Sequence, residues 1–128
     1  MVVVDTSAIV TLLIEEPPVP ALASRLSDLH LHAPHLIDVE FLHAVRRLVA
    51  TRRITLAQAR LIRADFAGLR MTRYPHGLLL DRMWDLRDNL SAYDAAFVAL
   101  SEALDLPLVT TDARLARAPG HHAVVESY

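Results

Sequence analysis

The chain predicts an α/β fold, a mainly parallel sheet with helices on both faces, and three observations carry that reading. Short apolar runs of strand length alternate with amphipathic, helix-length stretches from end to end. Hydrophobic residues make up 53% of the chain, enough for a core without covalent staples. Two acids, Asp5 and Asp112, stand just after expected strands, where the ligand crevice of such a sheet opens. At 128 residues the length suits one ordinary domain, so residues 1–128 are expected to form a single unit.

Val2-Val3-Val4 is a β-branched run and reads as a buried strand. Asp5-Thr6-Ser7 follows it, and a helix is expected from Ala8 to Ile14. The stretch from Glu15 to Pro20 holds three prolines, which break that helix; Pro20 suits the first turn of the next, read from Ala21 to Leu29. Leu31 to Ala33 is a short strand ended by Pro34. From about His35 to Thr51, Ile37, Phe41, Ala44, Val45 and Leu48 form the apolar stripe of a long helix. Thr55 caps a further helix to about Leu69, Met71 to Tyr74 reads as a strand and Leu78 to Arg87 as a helix. Ser91 starts a very apolar helix that reaches Leu104. Pro107 to Thr110 is a strand, Thr111 to Arg117 a short helix, and His122 to Val125 a last strand.

The chain has no cysteine, which removes disulfides, thiolate metal sites and cysteine nucleophiles together and suits a reducing compartment. No apolar run approaches the roughly 20 residues that span a bilayer, so no membrane association is expected. Met1 to Asp5 lacks a basic leader, and the cytoplasm is the expected location. Formal net charge is −2, whereas a bulk polyanion binder is usually basic. All thirteen basic residues are arginine, the better bidentate partner for phosphate, although a GC-rich genome gives the same bias.

Most acids read as solvated: Asp81, Asp85 and Asp88 share a helix with Arg82 and Arg87, and Asp28, Asp65 and Glu102 look similar. Four do not. Glu40 lies inside a helix at the edge of its apolar stripe, too deep to be a cap. Asp94 sits among small and apolar residues, although its spacing from Ser91 is also that of an N-terminal capping pair. Asp5 and Asp112 stand at strand-to-helix junctions, where aspartate is often only an N-cap. Thr6, Ser7, Thr110 and Thr111 place hydroxyls beside them, able to cap, to orient a carboxylate or to hold a water. Taken together, the four acids could meet at one end of the sheet. Clustered carboxylates repel, a divalent cation removes that cost, and an all-oxygen ligand set suits Mg²⁺, Ca²⁺ or Mn²⁺.

At these positions the sequence resembles the PIN-domain nucleases, and among them the VapC toxins of toxin–antitoxin pairs. The stretches that carry the resemblance are Val2 to Ala8, Ala33 to Glu40, Leu90 to Leu100 with its Tyr-Asp-Ala-Ala-Phe block, and Pro107 to Asp112. The resemblance implies a three-layer α/β/α sandwich. It gives Asp5, Glu40, Asp94 and Asp112 the roles of the family's acids, and it makes Thr110 and Ser7 the hydroxyls that support them. It implies Mg²⁺ as cofactor with Mn²⁺ as substitute, RNA as substrate, a VapB-type antitoxin as partner, and a homodimer. The expected reaction is attack of a metal-activated water on phosphorus, expelling the 3′ oxygen and leaving a 5′-phosphate. Arg114 and Arg117 are the candidates for phosphate contact. The alternative is a PIN-like module that binds RNA or a partner without cleaving.

Other acidic or phosphate-binding sites fit poorly. A receiver domain needs a lysine, and there is none. A haloacid-dehalogenase phosphatase wants a second acid two residues after Asp5, where Ser7 stands. Gly68, Gly77 and Gly120 are the only glycines, so no glycine-rich phosphate loop exists. His30, His32 and His35 leave a zinc site conceivable, though ordinary surface histidines explain them better. Leu80, Met83 and Trp84 read as core or subunit-interface residues of one helix.

Overall fold

The computed structural model describes residues 1–15 and 17–128. Five strands, β1 (Val2–Val4), β2 (Leu31–Pro34), β3 (Met71–Tyr74), β4 (Leu108–Thr110) and β5 (Val125–Ser127), form one sheet in the order β3-β2-β1-β4-β5. Every neighbouring pair is parallel. β1 is central, pairing with β2 through Val2↔Leu31 and with β4 through Val4↔Val109. A central parallel strand is covered on both faces, and its three valines are all fully buried.

Seven helices connect the strands among the described residues: α1 (Thr6–Ile14), α2 (Pro20–Leu26), α3 (Leu36–Ala50), α4 (Leu56–Ala67), α5 (Leu80–Asp85), α6 (Ala92–Leu104) and α7 (Ala113–Arg117). α6 packs on β1, β2 and β4 and carries α5, while α1 packs against α3 and α4. These helix layers and the sheet make the α/β/α sandwich. α3 buries Ile37, Phe41 and Val45, the predicted stripe, and the Phe41 ring stacks on Phe66 of α4 with centroids 4.0 Å apart. α4 starts with the capping box of Thr55 and Gln58, and Pro20 occupies the first turn of α2. No helix of the described residues is long and apolar enough to cross a membrane.

Several boundaries differ from the sequence expectation. The break read from Glu15 to Pro20 is where predicted, with Glu16 outside the described residues. α1 starts at Thr6 rather than Ala8, because Asp5 itself caps it. The helix expected over 78–87 divides into a 3₁₀ turn, Gly77–Leu79, and the short α5. The last strand begins at Val125 rather than His122. The His121 ring bonds the Leu115 carbonyl and takes the Ala123 N–H, which spends the local backbone partners outside the sheet.

Two readings of side chains also change. Glu102 is not solvated: its side chain is only 6% exposed and is gripped by the Arg82 guanidinium through two hydrogen bonds of 2.7 and 3.1 Å. Trp84 and Leu80 are not core residues of this chain. Trp84 is 67% exposed under the Arg87 guanidinium, and only Met83 of that trio packs on the core.

Candidate active site

The site starts at the carboxyl ends of β1 and β4. Asp5 follows β1 in extended backbone, and its side chain turns back to accept the Ala8 N–H at 3.0 Å, which starts α1. The same Oδ1 accepts the Ser7 hydroxyl at 2.7 Å, and Oδ2 accepts the Thr110 hydroxyl from the end of β4. Ser7 Oγ also accepts the Thr111 N–H at 3.1 Å, and Thr110 Oγ1 accepts the Asp112 N–H at 2.9 Å. Two hydroxyls thus lace the ends of adjacent parallel strands around one carboxylate that is 6% exposed. The capping reading of Asp5 holds through Oδ1, while Oδ2 takes the Thr110 hydroxyl at the end of β4.

Glu40 reaches this cluster from α3, and Thr6 of α1 donates to its Oε1 at 2.7 Å. Thr6 was recognisable in the sequence only as one hydroxyl among four; the specific partnership needed α1 and α3 side by side. Asp94 stands in the first turn of α6, where the Ser91 hydroxyl accepts its backbone N–H, as the capping pair predicts. Ser91 also interacts with the Asp94 carboxylate itself, which feels the charges of Arg114 and Asp112.

Electrostatics tie the four together. Burial raises Asp5 above the ordinary carboxylate value; hydrogen bonds from Thr110, Ser7 and Ala8 oppose the rise, and the Asp94 charge adds to it. Glu40 is raised by burial, opposed by Thr6, with further push from Asp94 and Asp5. Asp94 is raised by burial, pulled down by Arg114 and pushed up by Asp112. Asp112 alone is lowered, because Arg114 forks onto its carboxylate with contacts down to 2.6 Å while donating its backbone N–H as well. Arg114, expected to face phosphate, is thus engaged with an acid of the site. No pair of its donors is committed to anything else in the hydrogen bonds it makes among the described residues.

The donor chemistry fits a hard divalent ion. All four groups are carboxylates and three of them carry raised pKa values; hydroxyls orient Asp5 and Glu40, and Arg114 holds Asp112. Among the described residues no three acids or histidines are already drawn to metal-holding positions. Asp5 and Glu40 are each held by hydroxyls and Asp112 by Arg114. Of the three histidines expected to lie at the surface, His32 is instead buried, 8% exposed. His32 bonds the Tyr74 hydroxyl through Nδ1, and His30 bonds Thr72.

The comparisons with known proteins give the family and the fold. The PIN domain model matches residues 2–121. The Mycobacterium tuberculosis ribonuclease VapC9 is 43% identical over 115 residues, covering 90% of this chain and 88% of that protein. Ribonuclease VapC12 of the same organism is 37% identical over 126 residues, covering 98% of each. In fold, the chain superposes with a TM-score of 0.73 at 14% identity on a chain of VapBC2 from Rickettsia felis, solved bound to a promoter DNA fragment, covering 99% of this chain and 98% of that one. On the strength of the matched domain and of these relatives, the chain belongs to the PIN-domain family and, within it, to the VapC ribonucleases.

Proposed function

We propose that the chain is a divalent-metal-dependent endoribonuclease and the toxin of a toxin–antitoxin pair, with Asp5, Glu40, Asp94 and Asp112 as its metal-binding acids. The observation that carries the reading is the Asp5 carboxylate, buried at the end of the central strand, oriented by Ser7 and Thr110, and raised in pKa next to Asp94. A protein keeps such a group when a cation or proton uses it. VapC ribonucleases as a class work with a divalent metal; Mg²⁺, with Mn²⁺ as substitute, fits these ligands.

A divalent ion held there supplies a more acidic water and offsets the charge of a phosphodiester. The residues do the rest. Asp5, Glu40, Asp94 and Asp112 would hold such an ion through their carboxylate oxygens. Ser7 and Thr110 fix the Asp5 rotamer, and Thr6 fixes Glu40. Arg114 holds positive charge beside Asp112 and Asp94, and it can pass from a carboxylate to a phosphate without leaving the site. Residues 1–128 act as one nuclease unit. The partners that follow are RNA, a VapB-type antitoxin and a second copy of the chain.

The test is cleavage of RNA by purified protein with Mg²⁺, with EDTA, and in the Asp5→Asn and Asp94→Asn variants. Cleavage that needs metal and vanishes in both variants supports the reading. A fully active Asp94→Asn protein would remove Asp94 from the metal site, and a wild type that binds RNA and never cuts it would leave the silent binding module.

A further inference from the structure

α3 carries Glu40 and is the longest helix among the described residues, yet nothing beside it in sequence caps it. His35 stands at its N-cap in helical backbone and makes no side-chain cap bond, whereas Asp5, Thr55, Ser91 and Asp112 cap α1, α4, α6 and α7. The acceptor comes from 40 residues further along: the Leu36 backbone N–H donates to His76 Nε2 at 3.0 Å. Two other ties join this turn to the end of β3. The His35 N–H donates to the Tyr74 carbonyl at 2.9 Å, and Arg73 Nε donates to both Asp38 oxygens, at 2.9 and 3.0 Å.

A backbone N–H only donates, so His76 Nε2 carries no proton and the ring is neutral, with its hydrogen on Nδ1. An imidazolium has no acceptor left, and it would set positive charge at the positive end of the helix. Leu36 also opens the turn that bears Glu40, because a helical N–H pairs with the carbonyl four residues back. The titratable and charged groups on the segments that meet here are few. The His35 ring lies edge-on to His76 with centroids 6.4 Å apart, and its protonation would push the same way. Asp38 is matched by Arg73, the Tyr74 hydroxyl is bonded to His32, and the 3₁₀ turn after His76 brings no charge. We infer that His76 is a positioning residue for Glu40: the neutral ring pins the first turn of α3, and protonation releases it. The acid cluster thereby answers to a titrating group that lies outside it. The consequence for metal binding rests on the ribonuclease reading; the bond and its release do not.

The experiment follows the Leu36 amide of the full chain by hydrogen exchange, corrected for the intrinsic rate, at about pH 5.5 and about pH 8, between which histidine changes charge. Wild type, His76→Gln and His76→Ala are compared; glutamine offers an oxygen where Nε2 stands and does not titrate. Wild-type protection should fall about five-fold on acidification, the size of a lost N-cap. His76→Gln should hold its value, and His76→Ala should be low at both. His35→Gln should keep most of the wild-type fall, since the His35 ring makes no cap bond to the helix. Mn²⁺ affinity, read by electron paramagnetic resonance, then reports Glu40. The ratio of wild type to His76→Gln cancels the titration of the acids. It should drop about three-fold on acidification, less than the roughly 10–100-fold of a partner bonded to a ligand itself. In the wild type alone, the Leu36 amide shift should follow the ring titration of His76 in NMR spectra. Equal protection at both pH values, a fall that survives in His76→Gln, or an amide shift that follows another group would overturn the release. An unchanged Mn²⁺ ratio would overturn the positioning of Glu40. A wild type that cuts no RNA removes the ribonuclease reading and leaves both of those results standing.

Discussion

The Thr110 hydroxyl donates to Asp5 Oδ2 across 105 residues of sequence, and the same oxygen accepts the Asp112 backbone N–H at 2.9 Å. One threonine therefore sets the rotamer of the first acid and the path of the chain into the last. Thr110→Val keeps the shape and removes both bonds. Groups of this kind, standing behind metal ligands, are worth about 10–100-fold in metal affinity or activity. The variant should lose activity in that range and about 1–3 kcal/mol of stability for the unpaired Asp112 N–H. Mg²⁺ titration followed by RNA cleavage, with urea unfolding beside it, checks both.

Asp5, Glu40 and Asp94 have raised pKa values in the fold. A carboxyl whose folded pKa exceeds its unfolded value favours the fold below the unfolded value and loses that contribution as pH rises through the folded one. The metal-free protein should thus be less stable at pH 7 than just above pH 4, as far as these three groups decide it. Asp94→Asn removes one of the repelling charges, and its melting temperature without metal should rise by a few degrees at pH 7. Mg²⁺ should instead stabilise the wild type, by about 2.7 kcal/mol at a hundred times its Kd, and have little effect on Asp94→Asn. Calorimetry with EDTA and with Mg²⁺ reads all four conditions.

Arg82 and Glu102 anchor α5 and the 120–122 turn to α6, since Arg82 also donates to the Gly120 carbonyl and the His122 N–H donates to Glu102. Burial alone would raise Glu102, but Arg82, the His122 N–H and the nearby His122 ring together hold it below the ordinary value. Its contribution is then present above pH 4.5 and lost as pH falls through the lowered pKa. Arg82→Met leaves the carboxylate buried and half served. Because Arg82 is itself about a third exposed, a cost of about 2 kcal/mol at pH 7 is expected, below the 3–5 kcal/mol of a fully buried pair. The deficit should shrink toward pH 4, as denaturant midpoints across that range would reveal.

His32 on β2 is 8% exposed, and its Nε2 is buried without a hydrogen-bond partner among the described residues. Burial, the neighbouring His30 and the chain's N-terminus all lower its pKa from the ordinary 6.5. A depressed histidine stabilises the fold above the unfolded pKa, and that contribution is lost as pH falls through the folded value. His32→Leu should be less stable than wild type at pH 8, where the Tyr74 bond is missed, and should close that gap below pH 6. Equal gaps at both pH values, measured by thermal unfolding, would show that His32 does not titrate on unfolding.

Much of this was legible in the residues. The acids of the site were set apart by their positions, at strand ends or on apolar helix faces, and the cap residues Ser91 and Thr55 do what their spacing predicts. What the sequence hid was partnership between distant elements. Glu102 looks like any helix acid until Arg82, twenty residues earlier, is packed across it. Arg114 reads as a free cation until α7 places it on Asp112. The last strand was misplaced for a local reason, a histidine ring that competes for backbone partners.

The strand order has a consequence for the timing of assembly. β1 is made first, but its neighbour β4 follows more than a hundred residues later, with Val3 opposite Leu108. Contacts so far apart close late in folding. On a ribosome the Asp5 carboxylate therefore stays without its Thr110 partner until β4 has been made, and the central pair of the sheet closes only after most of the polypeptide is synthesised.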